Sequence, residues 1–228
     1  MSERGDFLAG LRDSLPSAPA NVPFGFVAGA AAVQAGFTDV QAVLLSALVF
    51  GGASQLAAID VLNGGAPLAV VVLTAVVVNL RYTMYSAAIA PHFREFTERW
   101  RLLAAQFIVD TTFAIAVTEF ERDESTDRLA YYMGVSAGVY GTYVVFTAVG
   151  VVLGDAIPDG FQLDFAIPLL FLALLVPSIT DDATKLAAAV GGFVAVAAAG
   201  APMNLGIIVA ALSGVAAGVV VNETEVGR

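Results

Sequence analysis

The sequence predicts an all-α, polytopic membrane helical bundle with about seven transmembrane helices. Hydrophobic residues make up 58% of the 228 residues, charged residues only 13%, and the mean hydropathy is +0.83. An ordinary soluble domain carries roughly 25% charged residues. Apolar stretches of the length that crosses a bilayer, roughly 17–25 residues, recur along the chain. They are runs of Leu, Ala, Val, Ile and Phe without period-two alternation, which selects helices over the strands of a membrane barrel. A helix also satisfies its own backbone hydrogen bonds where water is absent.

The elements follow in order. Phe7, Leu8, Leu11 and Leu15 share one helical face, with Arg4, Asp6, Arg12 and Asp13 elsewhere. Residues 1–20 therefore read as an interfacial N-terminal segment of a single integral membrane domain covering 1–228. Pro16, Pro19 and Pro23 are expected to end that first helix. Apolar segments come next at about 24–36, 40–62, 67–90, 102–118, 129–153, 162–180, 186–200 and 203–221. The segments 24–36 and 186–200 are short enough to be re-entrant.

Charged joints run from His92 to Arg101 and from Glu119 to Arg128. They flank one span, so the positive-inside rule votes both ways on it; the first joint, with more arginine than acid, is expected to face the cytoplasm. Gly25 with Gly29, Gly134 with Gly138, Gly150 with Gly154, and Gly214 with Gly218 are spaced for close helix approach inside the chain. The segments 24–62 and 140–180 both hold an interrupted second helix, at Gly51-Gly52 and at Pro168 and Pro177. Paired interruptions in two halves point to a transporter's binding site.

Several function classes are excluded. There is no cysteine and one histidine, His92, so no thiolate or histidine-rich metal site is expected. No glycine-rich phosphate loop is present, so neither a cofactor nor an enzymatic role is expected. The net charge of −10 argues against a nucleic-acid partner. Such acidity, with Lys185 as the only lysine, is halophilic-like: a protein suited to concentrated salt, where screening tames self-repulsion.

The chemistry rests on polar residues inside apolar runs. Asp110 lies near the middle of 102–118, and Arg81 lies deep in 67–90. A charge at helix centre costs about 2.5–3.5 kcal/mol on insertion scales, so such residues pair or line a wet cavity. Arg81 and Asp110 are candidates for a substrate or proton site, the alternative being a static structural ion pair. Gln106 precedes Asp110 by four residues and is expected on its face. Asn79 joins them only if its helix is distorted near Arg81. Ser54 and Gln55 follow the double glycine, as ligands or as interhelical glue.

Phe24-Gly25-Phe26-Val27-Ala28-Gly29, Val49-Phe50-Gly51-Gly52-Ala53-Ser54-Gln55-Leu56, Asn79-Leu80-Arg81-Tyr82 and Val109-Asp110-Thr111-Thr112-Phe113-Ala114 occur in this order. Together they resemble the AzlC-type branched-chain amino acid permease family, over about residues 14–220. Leu163-Asp164-Phe165-Ala166-Ile167-Pro168 looks like that family's second-half motif. The family often has an acidic pair where this chain has Asp110-Thr111. The resemblance implies the large subunit of an exporter of branched-chain amino acids in the cell membrane. It also implies a small hydrophobic partner subunit of the AzlD type. A zwitterionic substrate needs a cation for its carboxylate, an anion for its ammonium and an apolar pocket, which Arg81, Asp110 and their neighbours can supply. The rival classes are a passive small-solute channel and a structural subunit of a membrane complex.

Overall fold

The computed structural model describes residues 3–123, 125–154, 179–200 and 205–226, with short pieces at 168–169, 171–172 and 175–176. Among the described residues the regular structure is helical and there is no strand. The helices are α1 (Glu3–Ser14), α2 (Ala18–Gln34), α3 (Asp39–Val49), α4 (Gly52–Asn63), α5 (Leu68–Asn79) and α6 (Arg81–Ile89). They continue with α7 (Glu98–Gln106), α8 (Asp110–Arg122), α9 (Arg128–Gly154), α10 (Asp182–Ala197) and α11 (Leu205–Val226). The chain divides into two compact units, Met1–Gln55 with Asn79–Phe161, and Leu56–Val78 with Gln162–Arg228.

The first unit is built on α9, with α1 and α2 lying along it. Missing side chains make this possible. A Cβ on Gly134 would collide with the Phe7 carbonyl, and one on Gly10 with the Tyr131 carbonyl. Gly29 meets the Thr147 carbonyl and Gly150 the Phe26 carbonyl in the same way. Three of the expected glycine pairs thus serve packing within the chain.

That packing revises the N-terminal reading. The face that α1 buries is Asp6, Gly10 and Ser14, while Leu8 and Leu15 stay exposed. Small residues win this face because only they let two backbones touch. The prolines do not delay the next helix to residue 24: α2 begins at Ala18, with Pro19 in its first turn, and runs through Pro23. Proline is tolerated at a helix start because that N–H has no helical partner anyway.

Three expected spans prove to be pairs of helices. The segment 40–62 breaks after Val49, where Phe50 turns left-handed at φ 40, ψ 55 before Gly51. The segment 102–118 breaks across Phe107–Val109, between α7 and α8. The segment 67–90 is interrupted more gently at Leu80, whose backbone stays helical at φ −54, ψ −30. Among the described residues, Leu68–Phe93, taken through the mild interruption at Leu80, and Arg128–Gly154 are long and apolar enough to cross a membrane. Leu68, Val72, Val76, Leu80 and Met84 recur every four residues on the first of these and are all at least half exposed. An apolar stripe of that length left uncovered suits a lipid environment.

In the second unit, Val61, Ala66, Val70 and Val71 form a small core closed by Ala58, Leu62 and Ile208. There α10 and α11 pack through Gly191 and Gly214, whose added Cβ would lie 3.4 Å from the Gly191 Cα. The motif at 163–167, Pro177 and most of the expected span 162–180 lie outside the described residues.

Candidate functional site

The breaks in α3–α4, α5–α6 and α7–α8 bring polar groups of the first unit together. A broken helix leaves its last carbonyls and first N–H groups without helical partners. Side chains from elsewhere in the unit take up the carbonyls. Tyr140 on α9 donates its hydroxyl to the Ala47 carbonyl at 3.1 Å, and Gln106 donates to the Leu48 carbonyl at 2.8 Å. Tyr132 donates to the Ala104 carbonyl at 3.0 Å. Thr112 closes the α7–α8 gap: its hydroxyl donates to the Phe107 carbonyl at 2.6 Å and accepts the Val109 N–H at 3.0 Å. Phe50 packs edge-on against Phe107, Tyr140 and Tyr143, with centroids 6.4, 5.0 and 5.7 Å away. This aromatic cluster holds Phe50 in its left-handed conformation, which costs a bulky residue about 1–3 kcal/mol.

With the breaks secured, a smaller set of atoms is left open. Arg81 starts α6 and Asp110 starts α8, and Arg81 Nη1 lies 3.1 Å from Asp110 Oδ2. Their side chains are 31% and 41% exposed, so the pair is neither sealed nor free in solvent. Arg81 Nε, Asp110 Oδ1 and Asn79 Oδ1 are each buried with no hydrogen-bond partner. A Cβ on Gly51 would meet Ser54 Oγ at 2.6 Å, Asn79 Oδ1 at 3.3 Å and the Tyr82 hydroxyl at 3.5 Å. Only a glycine lets these polar groups pack so close to the backbone. Tyr85 stacks on Phe113 at 4.7 Å and adjoins Tyr82 at 6.2 Å, giving the site an aromatic wall.

The six residues expected from sequence separate into two groups. Asn79 and Ser54 pack against Gly51 beside the Tyr82 hydroxyl, with Ser54 donating back to the Gly51 carbonyl at 2.8 Å, and the Arg81 guanidinium of the Arg81–Asp110 pair lies 5.2 Å from the Tyr82 ring. The backbone at Leu80 stays helical, so the distortion expected between Asn79 and Arg81 is slight, and Tyr82 stands between the two. Gln55 is fully committed elsewhere. Its Oε1 accepts from Ser46 at 3.0 Å and Tyr143 at 2.9 Å, and its Nε2 donates to Ser46 at 2.8 Å. Buried at 2% exposure, it joins α3, α4 and α9. Gln106 and Asp110 do not share a helix: α7 ends at Gln106 and α8 starts at Asp110, so the four-residue rule does not relate them. Sequence reasoning passed over Tyr85, Phe113 and the cluster around Phe50. The signal for Phe50 was its place before two glycines; the others carry none.

Residues 16–157 match the family described as AzlC protein. The chain belongs to the AzlC family. Within it, a protein named "Uncharacterized membrane protein" from Archaeoglobus fulgidus is 34% identical, over 94% of each chain. "Inner membrane protein YgaZ" of Escherichia coli is 25% identical, over 75% of this chain and 73% of that one. An "Uncharacterized membrane protein" of Helicobacter pylori is also 25% identical, over 74% of this chain and 75% of its own. No solved structure matches. The AzlC match holds every residue of the candidate site, from Gly51 to Phe113, so this membrane protein and its family share the region where the helices break.

Proposed function

We propose that this AzlC-family membrane protein is the large subunit of an exporter of branched-chain and similar small apolar amino acids. In this reading it spans the cell membrane about seven times, with the His92–Arg101 joint on the cytoplasmic side. It works with a small hydrophobic subunit of the AzlD type, and substrate movement is coupled to a proton. One observation carries the reading. Three buried polar atoms, Asn79 Oδ1, Arg81 Nε and Asp110 Oδ1, lack partners among the described residues while the surrounding carbonyls of the broken helices are satisfied. Buried polar groups without partners are costly, so a site that keeps them is arranged for something that comes and goes.

The chemistry suits a zwitterion. The guanidinium of Arg81 can take a carboxylate, while Asp110 Oδ1 and Asn79 Oδ1 can accept from an ammonium. Tyr85, Phe113 and Tyr82 offer apolar surface for a short aliphatic side chain. Discontinuous helices around a central polar site are the usual construction of secondary transporters.

The test is counterflow of labelled leucine, valine and isoleucine into proteoliposomes holding the chain with and without its small subunit. The expected result is saturable exchange that needs both proteins and ignores glutamate and lysine. Equal uptake of charged and apolar amino acids, or no saturation, would set the reading aside in favour of a channel.

A further inference from the structure

The helix that presents Asp110 has two opposed faces. Thr112, Ala116 and Phe120 are buried, four residues apart on one side. On the other side, Asp110, Ala114 and Thr118 follow one another at the same spacing. Ala114 and Thr118 are exposed. That second face leads out of the candidate site along α8.

It leads to an open groove whose lining starts at Ala114, one turn from Asp110. A space of about 570 Å³ is lined by Arg12, Asp13, Pro16, Ala114, Ile115, Thr118, Glu119 and Tyr131, from α1, α8, α9 and the turn after α1. Its inner end at Ala114 is one helical turn, about 6 Å along the axis, from Asp110. Its outer end is charged. Tyr131 donates its hydroxyl to Asp13 at 2.8 Å, and Glu119 pairs with Arg122 at 2.6 Å. Arg12 has no ion pair among the described residues. A charge without an ion pair, as Arg12 is there, needs water, and a space of this size holds many waters at about 30 Å³ each.

We infer that this groove is an aqueous vestibule running along α8 over Thr118 and Ala114, by which water-borne solutes and protons reach Asp110 from one side of the membrane. Arg12, Asp13 and Glu119 form its mouth. Thr118, whose hydroxyl donates back to the Ala114 carbonyl at 2.7 Å, keeps the wall polar without a bulky group. The vestibule rests on the transport reading only for what passes through it; the wet path itself stands on the geometry.

The absence of cysteine makes the test clean. Single cysteines at Ala114 and Thr118 are compared with single cysteines at Val145 and Val152, which are as exposed but lie on the apolar surface of α9. The probe is a membrane-impermeant cationic methanethiosulfonate, applied to the protein with its small subunit in liposomes. Thiolates form in water and not in lipid, so Thr118→Cys and Ala114→Cys should react at least about ten-fold faster than the two controls. Adding Thr118→Trp should slow the reaction at Ala114→Cys and leave Val145→Cys unchanged. Reaction of Ala114→Cys and Thr118→Cys at the control rate would overturn the inference, as would an Ala114→Cys rate indifferent to Thr118→Trp. Labelling needs no transport: a labelled vestibule without leucine counterflow leaves the wet path standing and removes the substrate assignment.

Discussion

The Gln106 amide donates to the Leu48 carbonyl at 2.8 Å, across 58 positions of sequence, and so ties the end of α7 to the end of α3. Both helices stop at breaks that border the candidate site, and this bond is one of the side-chain links between them. Removing it leaves a carbonyl with no helical partner. Gln106→Leu is therefore expected to destabilise the protein by about 0.5–1.5 kcal/mol, the net worth of one hydrogen bond, because this one is exposed. Gln106→Glu loses the donor and adds a charge, and should be at least as harmful. Thermal unfolding in detergent, followed by tyrosine fluorescence, checks both. A Gln106→Leu protein as stable as the parent would mean that water replaces the bond.

Glycine positions separate packing from propensity. Gly134→Ala would drive a methyl into the Phe7 carbonyl, so α1 must move away from α9. Overpacking of this kind costs about 1–3 kcal/mol. Gly141 lies on the same helix with nothing within 4 Å of an added Cβ. Gly141→Ala is expected to be neutral or to stabilise by about 0.5–1 kcal/mol through helix propensity. Unfolding midpoints of the two variants should therefore fall on opposite sides of the parent, or nearly so.

Much of this architecture was legible in the sequence. The helical class followed from hydropathy, and the packing glycines from their spacing. The Gly51-Gly52 break followed from two residues of poor helix propensity inside an apolar run. The break between Gln106 and Asp110 was hidden because Phe107, Ile108 and Val109 look like any apolar turn. What holds it open is Thr112, whose hydroxyl bonds both sides of the gap, and a threonine in a helix gives no such signal. For the same reason the sequence puts Gln106 on one helix with Asp110. The double glycine before Gln55 leaves it open as ligand or interhelical glue; Ser46 and Tyr143 claim its oxygen and make it glue, and only tertiary structure brings them near.

Outside the membrane region, Asp181 caps the start of α10. Its Oδ1 accepts the Thr184 N–H at 2.7 Å and the Thr184 hydroxyl at 2.8 Å. The backbone bond first, and the hydroxyl after it, hold the Asp181 carboxyl below the ordinary aspartate value. A folded-state value lowered in this way contributes stability that is present above the unfolded value, about 3.9, and is lost as pH falls through the folded one. Protection of the amides in the first turn of α10, relative to their intrinsic exchange rates, should accordingly fall on acidification below about pH 4. Asp181→Asn, which caps without titrating, should abolish that dependence; a variant with the parent's acid profile would locate the effect elsewhere.

Asp110 is expected to govern transport through its pairing with Arg81. The two meet at 3.1 Å between the starts of α6 and α8, and both remain partly open. A substrate carboxylate that engages the unpartnered Arg81 Nε competes with Asp110 for the guanidinium. Asp110→Asn should then insert and fold normally, losing about 1 kcal/mol or less because the pair is more than a third exposed at Asp110, yet lose leucine counterflow. If the pair is only structural, the same variant is poorly stable, and Arg81→Gln combined with Asp110→Asn restores stability and transport together. The double variant decides between the two: an active double variant makes the pair a brace, whereas a stable but inactive one makes Arg81 and Asp110 the working residues. Counterflow by Asp110→Asn matching the parent at every pH would remove Asp110 from the mechanism altogether.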